Sequence, residues 1–229
     1  MKASSPVGTA RNDAVGIMGG TFDPVHLAHL ALARAARDRL KIPEIRWIPA
    51  GQPPHRTDPK TAPRSTSADR LAMVQATIDG EPGFVLDASE VDSTAPSYTV
   101  HTLERLRREL GPDRPLVLLM GADAFHGFAR WHRWQDIFSL AHLAVATRPG
   151  FPLDDIAAPL STEFNCRRLA GADFSAPAGH IFPFELIAGT VSATEVRQRI
   201  AAHDAPPQLL ELLPAPVLDY IQRHQLYLS

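Results

Sequence analysis

Residues 15–29 read VGIMGGTFDPVHLAH, and the order of those letters decides the fold. The run Ala14-Val15-Gly16-Ile17-Met18 is short, apolar and bounded by glycines, which predicts a buried strand rather than a helix. Beyond Gly19-Gly20-Thr21-Phe22-Asp23-Pro24, the stretch from His26 to Leu40 is Ala-rich and sets Leu27, Leu30, Ala31 and Arg34 at helical spacing. Strand, glycine turn and helix in succession open an α/β unit. Two glycines let a ligand approach the backbone and expose amide N–H groups, and the helix start adds the positive end of its dipole. An anion, phosphate first of all, is favoured at such a junction. His26 and His29 lie in the first helical turn, so both imidazoles can face that anion and stabilise charge developing on phosphorus. Each part alone also has a plain structural reading, since glycine pairs and HxxH spacings are common and the HExxH of zinc hydrolases is absent.

The pattern repeats outward from this junction. Strand-like runs at Glu44–Ile48, Phe84–Leu86, Pro115–Met120, His142–Ala146 and His180–Phe184 alternate with helical stretches at Asp69–Ile78, Tyr98–Leu110, near Trp134–Leu140, at Ser192–Ala201 and at Pro216–His224. This rhythm predicts an α/β fold, a doubly wound, mostly parallel Rossmann-like sheet with helices on both faces and a small C-terminal helical portion. Ligands of such sheets bind beyond the carboxyl ends of the strands. Residues 1–12 carry no periodicity and read as a flexible tail before a single domain at 13–229. Pro149–Gly179, rich in Pro, Asp and Ala, reads as an irregular insertion, and Gln52–Arg64 as a mobile loop beside the crevice.

Composition narrows the function classes. A chain of 229 residues with 45% hydrophobic and 21% charged residues supports a real core, which excludes a disordered tail or a coiled coil. With 23 basic against 25 acidic residues the net charge is −2, which argues against broad capture of nucleic acid. The single cysteine, Cys166, cannot pair within the chain, and no apolar stretch resembles a secretory signal or a membrane span, so a cytoplasmic protein is expected. Nothing in the composition fixes the oligomeric state, and a homo-oligomer is allowed. All but three of the basic residues are arginines, which suits bidentate phosphate contacts and equally follows from genomic base composition.

The segment GGTFDPVHLAH, residues 19–29, resembles the HxGH loop of the nucleotidyltransferase superfamily, with Ala28 where that family usually has glycine. A second segment, Val191-Ser192-Ala193-Thr194-Glu195-Val196-Arg197, is similar to the superfamily's ISSTxxR signature. On its own it also reads as a capping box, because Ser192 and Glu195 have the S-x-x-E spacing. Between the two, Pro53-Pro54-His55-Arg56, Ala95-Pro96-Ser97-Tyr98-Thr99, Gly121-Ala122-Asp123, Trp131, Arg148-Pro149-Gly150-Phe151-Pro152 and, later, Leu213-Pro214-Ala215-Pro216-Val217 resemble the nicotinate mononucleotide adenylyltransferases in order and separation.

That resemblance implies an enzyme joining ATP to nicotinate mononucleotide, with Mg²⁺ carried on the ATP and pyrophosphate rather than on protein ligands. It implies that His26, His29 and Arg197 act on the phosphates. Gly19, Gly20, Thr21, Phe22, Asp123, Ser192 and Thr194 would complete the ATP site. Thr21, Asp23, His55, Arg56, Tyr98, Thr99 and Trp131 would hold the nicotinate nucleotide. Trp131 suits stacking on a pyridine ring, amides near Tyr98 and Thr99 suit a carboxylate, and Asp123 suits a ribose hydroxyl; equally, Trp131 reads as a core anchor and Asp123 as a helix cap. No aromatic stands in Ile187-Ala188-Gly189-Thr190, so Phe184 or Trp131 is expected to cover the base. The alternatives are an adenylyltransferase for nicotinamide mononucleotide or phosphopantetheine, and a nucleotide-binding protein without turnover.

Overall fold

The computed structural model describes residues 13–54, 62–147, 153, 155–186, 189 and 191–228. Its centre is a six-stranded sheet of β1 (Val15–Gly20), β2 (Glu44–Pro49), β3 (Phe84–Leu86), β4 (Leu116–Gly121), β5 (His142–Thr147) and β6 (Ile181–Glu185). The order is β3-β2-β1-β4-β5-β6 and every neighbouring pair is parallel. This is the doubly wound topology expected from the alternating pattern, with the strand order reversing between β1 and β4.

Parallel strands buried on both faces need apolar side chains at every position, and β4 has Leu116 to Met120 buried throughout. Alternate residues serve opposite faces. Val117 and Leu119 join one core with α1 (Leu27–Leu40), α2 (Ser67–Ile78), α7 (Ala193–Ala201), α8 (Pro206–Leu209) and α9 (Ala215–Arg223). Leu116, Leu118 and Met120 join the other with α3 (Thr99–Leu110), α4 (Ala122–His126), α5 (Ile137–Leu140) and α6 (Leu160–Arg167). Helices therefore cover both faces, and α8 and α9 form the C-terminal helical portion.

Register opens the crevice. β1 stays paired with β2 to its last residue, Gly20 opposite Pro49, whereas its pairing with β4 ends at Ile17 opposite Leu118. The two central strands part beyond that point, where the order of the sheet reverses.

Two expectations change. Pro149–Gly179 is not wholly irregular, because α6 lies within it; its sequence offers only Leu160 and Phe164 as buried anchors, too few to show a helical period. Phe184 packs in the core at 8% exposure and does not line the crevice, so it is not the aromatic that covers the base. The expectations for residues 1–12, for His55 and Arg56, for residues 148–152 and for Ile187, Ala188 and Thr190 lie outside the described residues.

Candidate active site

A cavity of about 1180 Å³ opens where β1 and β4 diverge. Its floor is the loop between β1 and α1. Gly19 faces open space, so any side chain there would project into the cavity, while a Cβ on Gly20 would press on the Phe22 ring at 3.0 Å. Phe22 itself takes the left-handed conformation, at φ 52°, and turns the chain toward α1. His26 is the residue before the first helical turn, and His29 lies within that turn. Their rings stack with centroids 3.7 Å apart, and the His26 backbone N–H donates to His29 Nδ1 at 3.2 Å. That bond fixes the neutral tautomer of His29 with its proton on Nε2. Burial, and secondarily the charge of His26, hold the His29 pKa well below the ordinary imidazole value. In the free protein His29 is therefore a neutral N–H donor at pH 7, and an arriving phosphate opposes the depression of its pKa.

Asp23 also lines this floor, yet its carboxylate is already satisfied by its own chain. It accepts from the backbone N–H of Arg64 at 2.8 Å, the N–H of Ser65 at 3.1 Å and the hydroxyl of Tyr227 at 2.8 Å. Only 3% of Asp23 is exposed. In the same loop Thr21 presents its backbone carbonyl to Arg70, whose Nη1 donates at 2.8 Å.

The opposing wall is the start of α7. The Ser192 hydroxyl accepts from the Glu195 N–H at 3.1 Å, so the capping bond read from the sequence is present. Arg197 Nη2 donates to the Thr194 hydroxyl at 3.2 Å and Nη1 donates to the backbone carbonyl of Asp23 at 2.6 Å. The two motifs, distant in sequence, thus touch directly. Ser192 and Arg197 line the cavity; Thr194 does not and instead steadies the guanidinium.

The third wall carries Tyr98, Thr99, Asp123 and Trp131. Thr99 opens α3, so its amide has no acceptor within the helix, whereas the Tyr98 N–H already donates to the Pro96 carbonyl at 3.0 Å. Asp123 sits in the first turn of α4 with its carboxylate folded over Gly121, where a Cβ would lie 2.5 Å from its Oδ1. Trp131 packs on Phe128 at 5.3 Å and also faces the cavity, whereas Trp134 packs on the same phenyl ring at 5.9 Å without lining it. Trp131 is thus both packed on the core and presented to the cavity.

Sequence reasoning missed Glu90, Arg130 and His132, which line the same wall. Burial raises the Glu90 pKa against the bond that the Thr102 hydroxyl donates to it at 2.5 Å. His132 lies against Tyr98 with centroids 4.4 Å apart. Nothing in their spacing marks them, because each comes from a loop or short turn. Among the described residues no group of three or more His, Cys, Asp or Glu could hold a metal ion.

A strand, glycine turn and helix facing a second helix start, at the switch point of a parallel sheet, is the architecture of a nucleotidyltransferase. The chain belongs to the cytidylyltransferase-like family, whose model matches residues 17–199. Relatives narrow the class: a protein of Dechloromonas aromatica, named a probable nicotinate-nucleotide adenylyltransferase, is 51% identical over 94% of this chain and 98% of its own length. One of Stenotrophomonas maltophilia with the same name is 46% identical over 92% of this chain and 95% of its own. Among solved structures, the Plasmodium falciparum nicotinic acid mononucleotide adenylyltransferase complexed with NaAD superposes with a TM-score of 0.69 at 16% identity, over 94% of this chain and 97% of that one. At that identity the likeness speaks for the fold.

Proposed function

We infer that this protein transfers the adenylyl group of ATP to nicotinate mononucleotide, giving nicotinate adenine dinucleotide and pyrophosphate. The observation that carries the reading is the contact between the two motifs: Arg197 bonded to the Asp23 carbonyl, with His26, His29 and Ser192 around one cavity. An oxygen of the acceptor's 5′-phosphate forms a bond to the α-phosphorus of ATP. The bond from that phosphorus to the bridging oxygen breaks, and the electron pair leaves with pyrophosphate. No proton need be removed from the nucleophile, because it is already anionic, so the protein's task is positioning and charge stabilisation.

His29, neutral and donating from Nε2, meets the oxygens of the reacting phosphate with His26 beside it. Arg197 supports the charge of the leaving group, and Ser192 and the free amides of the α7 start seat the triphosphate, with Thr194 holding the guanidinium. Gly19 and Gly20 leave room for the nucleotide beside Thr21 and Phe22, and Asp123 binds a ribose hydroxyl. On the acceptor side Trp131 stacks on the pyridine ring and the Thr99 amide donates to its carboxylate. Asp23 serves the acceptor by shaping the loop rather than through its occupied carboxylate. His55 and Arg56 are assigned to the acceptor by the resemblance of their sequence motif alone. ATP enters as its Mg²⁺ complex; the described side chains form no metal cage and no step here is assigned to a protein-bound ion. The setting is the cytoplasm, with no nucleic-acid partner, and no helix among the described residues is long and apolar enough to cross a membrane.

The test is Mg²⁺-dependent pyrophosphate release from ATP with nicotinate mononucleotide, nicotinamide mononucleotide and phosphopantetheine offered in parallel. Strong preference for the nicotinate acceptor is expected. Release with a different acceptor would overturn the substrate, and release with none would leave a binding protein.

A further inference from the structure

The helix α2 carries an arginine on the wrong face. Arg70, Met73, Val74, Thr77 and Ile78 form the buried stripe that holds α2 to the sheet, and Arg70 is 1% exposed. Burying a guanidinium is costly, and desolvation lowers its pKa from the usual arginine value. A guanidinium in a core stripe offers a planar set of donors that no apolar side chain supplies.

Its hydrogen bonds go to backbone carbonyls of two loops. Nη1 donates to Thr21 at 2.8 Å and to Ala50 at 2.5 Å, and Nη2 donates to Gly51 at 3.2 Å. Thr21 belongs to the phosphate loop after β1, and Ala50 and Gly51 begin the loop after β2. The sheet joins these strands only as far as the Ala50 N–H bond to the Gly20 carbonyl, at 2.9 Å. Past that point the guanidinium fork links the starts of the two loops, while the bonds from Arg64 and Ser65 to Asp23 join them further along.

The link continues to the acceptor wall. Gly51 lies so close to the Glu90 backbone that a Cβ would sit 1.9 Å from its carbonyl oxygen. Gln52 then exchanges two bonds with Ser97: its carbonyl accepts from the Ser97 N–H at 2.9 Å, and its own N–H donates to the Ser97 hydroxyl at 3.1 Å. Ser97 leads directly into Tyr98 and Thr99. A chain of contacts thus runs from the phosphate loop through Arg70 to the residues that face the acceptor.

We propose that Arg70 is a positioning residue that sets the register between the ATP loop and the acceptor wall; this rests on the adenylyl-transfer reading above. In-line transfer requires the reacting atoms within about 3–3.5 Å, and a displacement of about 1 Å from a distant change costs on the order of a hundredfold in rate. Only the planar fork of arginine can bridge three carbonyls in this way; lysine keeps the charge but not the geometry.

The experiment compares Arg70→Lys, Ser97→Ala and the double variant with the unaltered protein, by steady-state kinetics in both substrates and by thermal unfolding. Arg70→Lys is expected to lower kcat about tenfold or more while each KM changes less than about threefold. Ser97→Ala, at the exposed end of the chain of contacts, is expected to lower kcat about threefold with the melting temperature unchanged. If both act through one register, the double variant is no slower than Arg70→Lys alone. Wild-type kcat in folded Arg70→Lys, a loss confined to KM, or effects that multiply would overturn the proposal. Should Arg70→Lys fail to fold, Ser97→Ala decides: wild-type kcat there overturns it. Absence of turnover in the unaltered protein would instead sink the adenylyl-transfer reading, so the two failures are distinguishable.

Discussion

Two stacked histidine pairs sit at opposite ends of the sheet. At the carboxyl end of β1, His26 and His29 stack at 3.7 Å; at the start of β5, His142 and His180 stack at 5.3 Å. In both pairs burial comes first in depressing one imidazole's pKa, and the neighbouring histidine adds to it. The difference lies in the ring nitrogens. His142 uses both, Nε2 donating to the Ala176 carbonyl at 2.9 Å and Nδ1 accepting from the His180 N–H at 3.1 Å, and it is fully buried. His29 gives only Nδ1 to the backbone and lines the cavity. A depressed pKa and a stacked partner are thus shared by a packing histidine and a candidate catalytic one. The nitrogen left facing a cavity separates them.

The sharpest way to break that comparison is to truncate both. His29→Ala is expected to lower kcat about 10²- to 10³-fold with a smaller rise in KM, the size of effect seen when a transition-state donor is lost. His142→Ala should leave kcat unchanged in the folded fraction while lowering stability. Equal kcat in His29→Ala and the unaltered enzyme would remove His29 from the chemistry.

Acid unfolding sharpens the same contrast. His142 has a folded pKa of about 4 against an unfolded value near 6.5, so the unfolded chain binds the extra proton between those values. Stability is fully present above about pH 6.5 and is lost as pH falls toward 4, by about 3 kcal/mol from this group. Denaturant titrations at pH 4 and 7 should show that loss, reduced in His142→Gln. An unchanged slope would mean that another group governs acid sensitivity. His29 has the same sign, but phosphate binding should offset its contribution, so substrate should shield the cavity pair and not the buried one.

Smaller effects test the walls. Trp131→Ala should raise the acceptor KM about tenfold with little change in the KM for ATP, because stacking is lost on one substrate only. Equal changes in both constants would return Trp131 to the role it shares with Trp134 as a support on Phe128. Ser192→Ala should cost about 1 kcal/mol through the lost cap, read as a lowered melting temperature. A much larger effect on the KM for ATP than on stability would show the hydroxyl serving the triphosphate beyond its capping bond.

How much was legible follows from length and period. Strands such as β4, buried at five successive positions, announce themselves as apolar runs, and long helices announce their stripe. The five-residue α4, the four-residue α8 and the 3₁₀ turn at Phe128–Arg130 are too short to show a period. In α6 only Leu160 and Phe164 are buried, so no stripe appears. The motif residues at 19–29 and 192–197 were legible because close backbone approach, capping and phosphate chemistry each restrict residue type locally. Asp23 misled as a nucleotide ligand, since sequence cannot reveal that Ser65 and Tyr227 already occupy its carboxylate. Arg70 carried a usable signal, a charge on an otherwise apolar stripe, but no local feature names the carbonyls it holds.

By itself the sequence determined that strands and helices alternate, that the junction after β1 suits an anion, and that a capped helix start near the other end suits another. These properties depend on neighbours a few residues away, where periodicity, glycine and capping act. The tertiary structure alone decided that Arg197 bonds the Asp23 carbonyl, that β1 and β4 part beyond Ile17, and that one buried guanidinium ties two loops together. Those contacts join segments far apart along the chain. Their existence depends on strand order and register, which are set by how both faces of the sheet are packed.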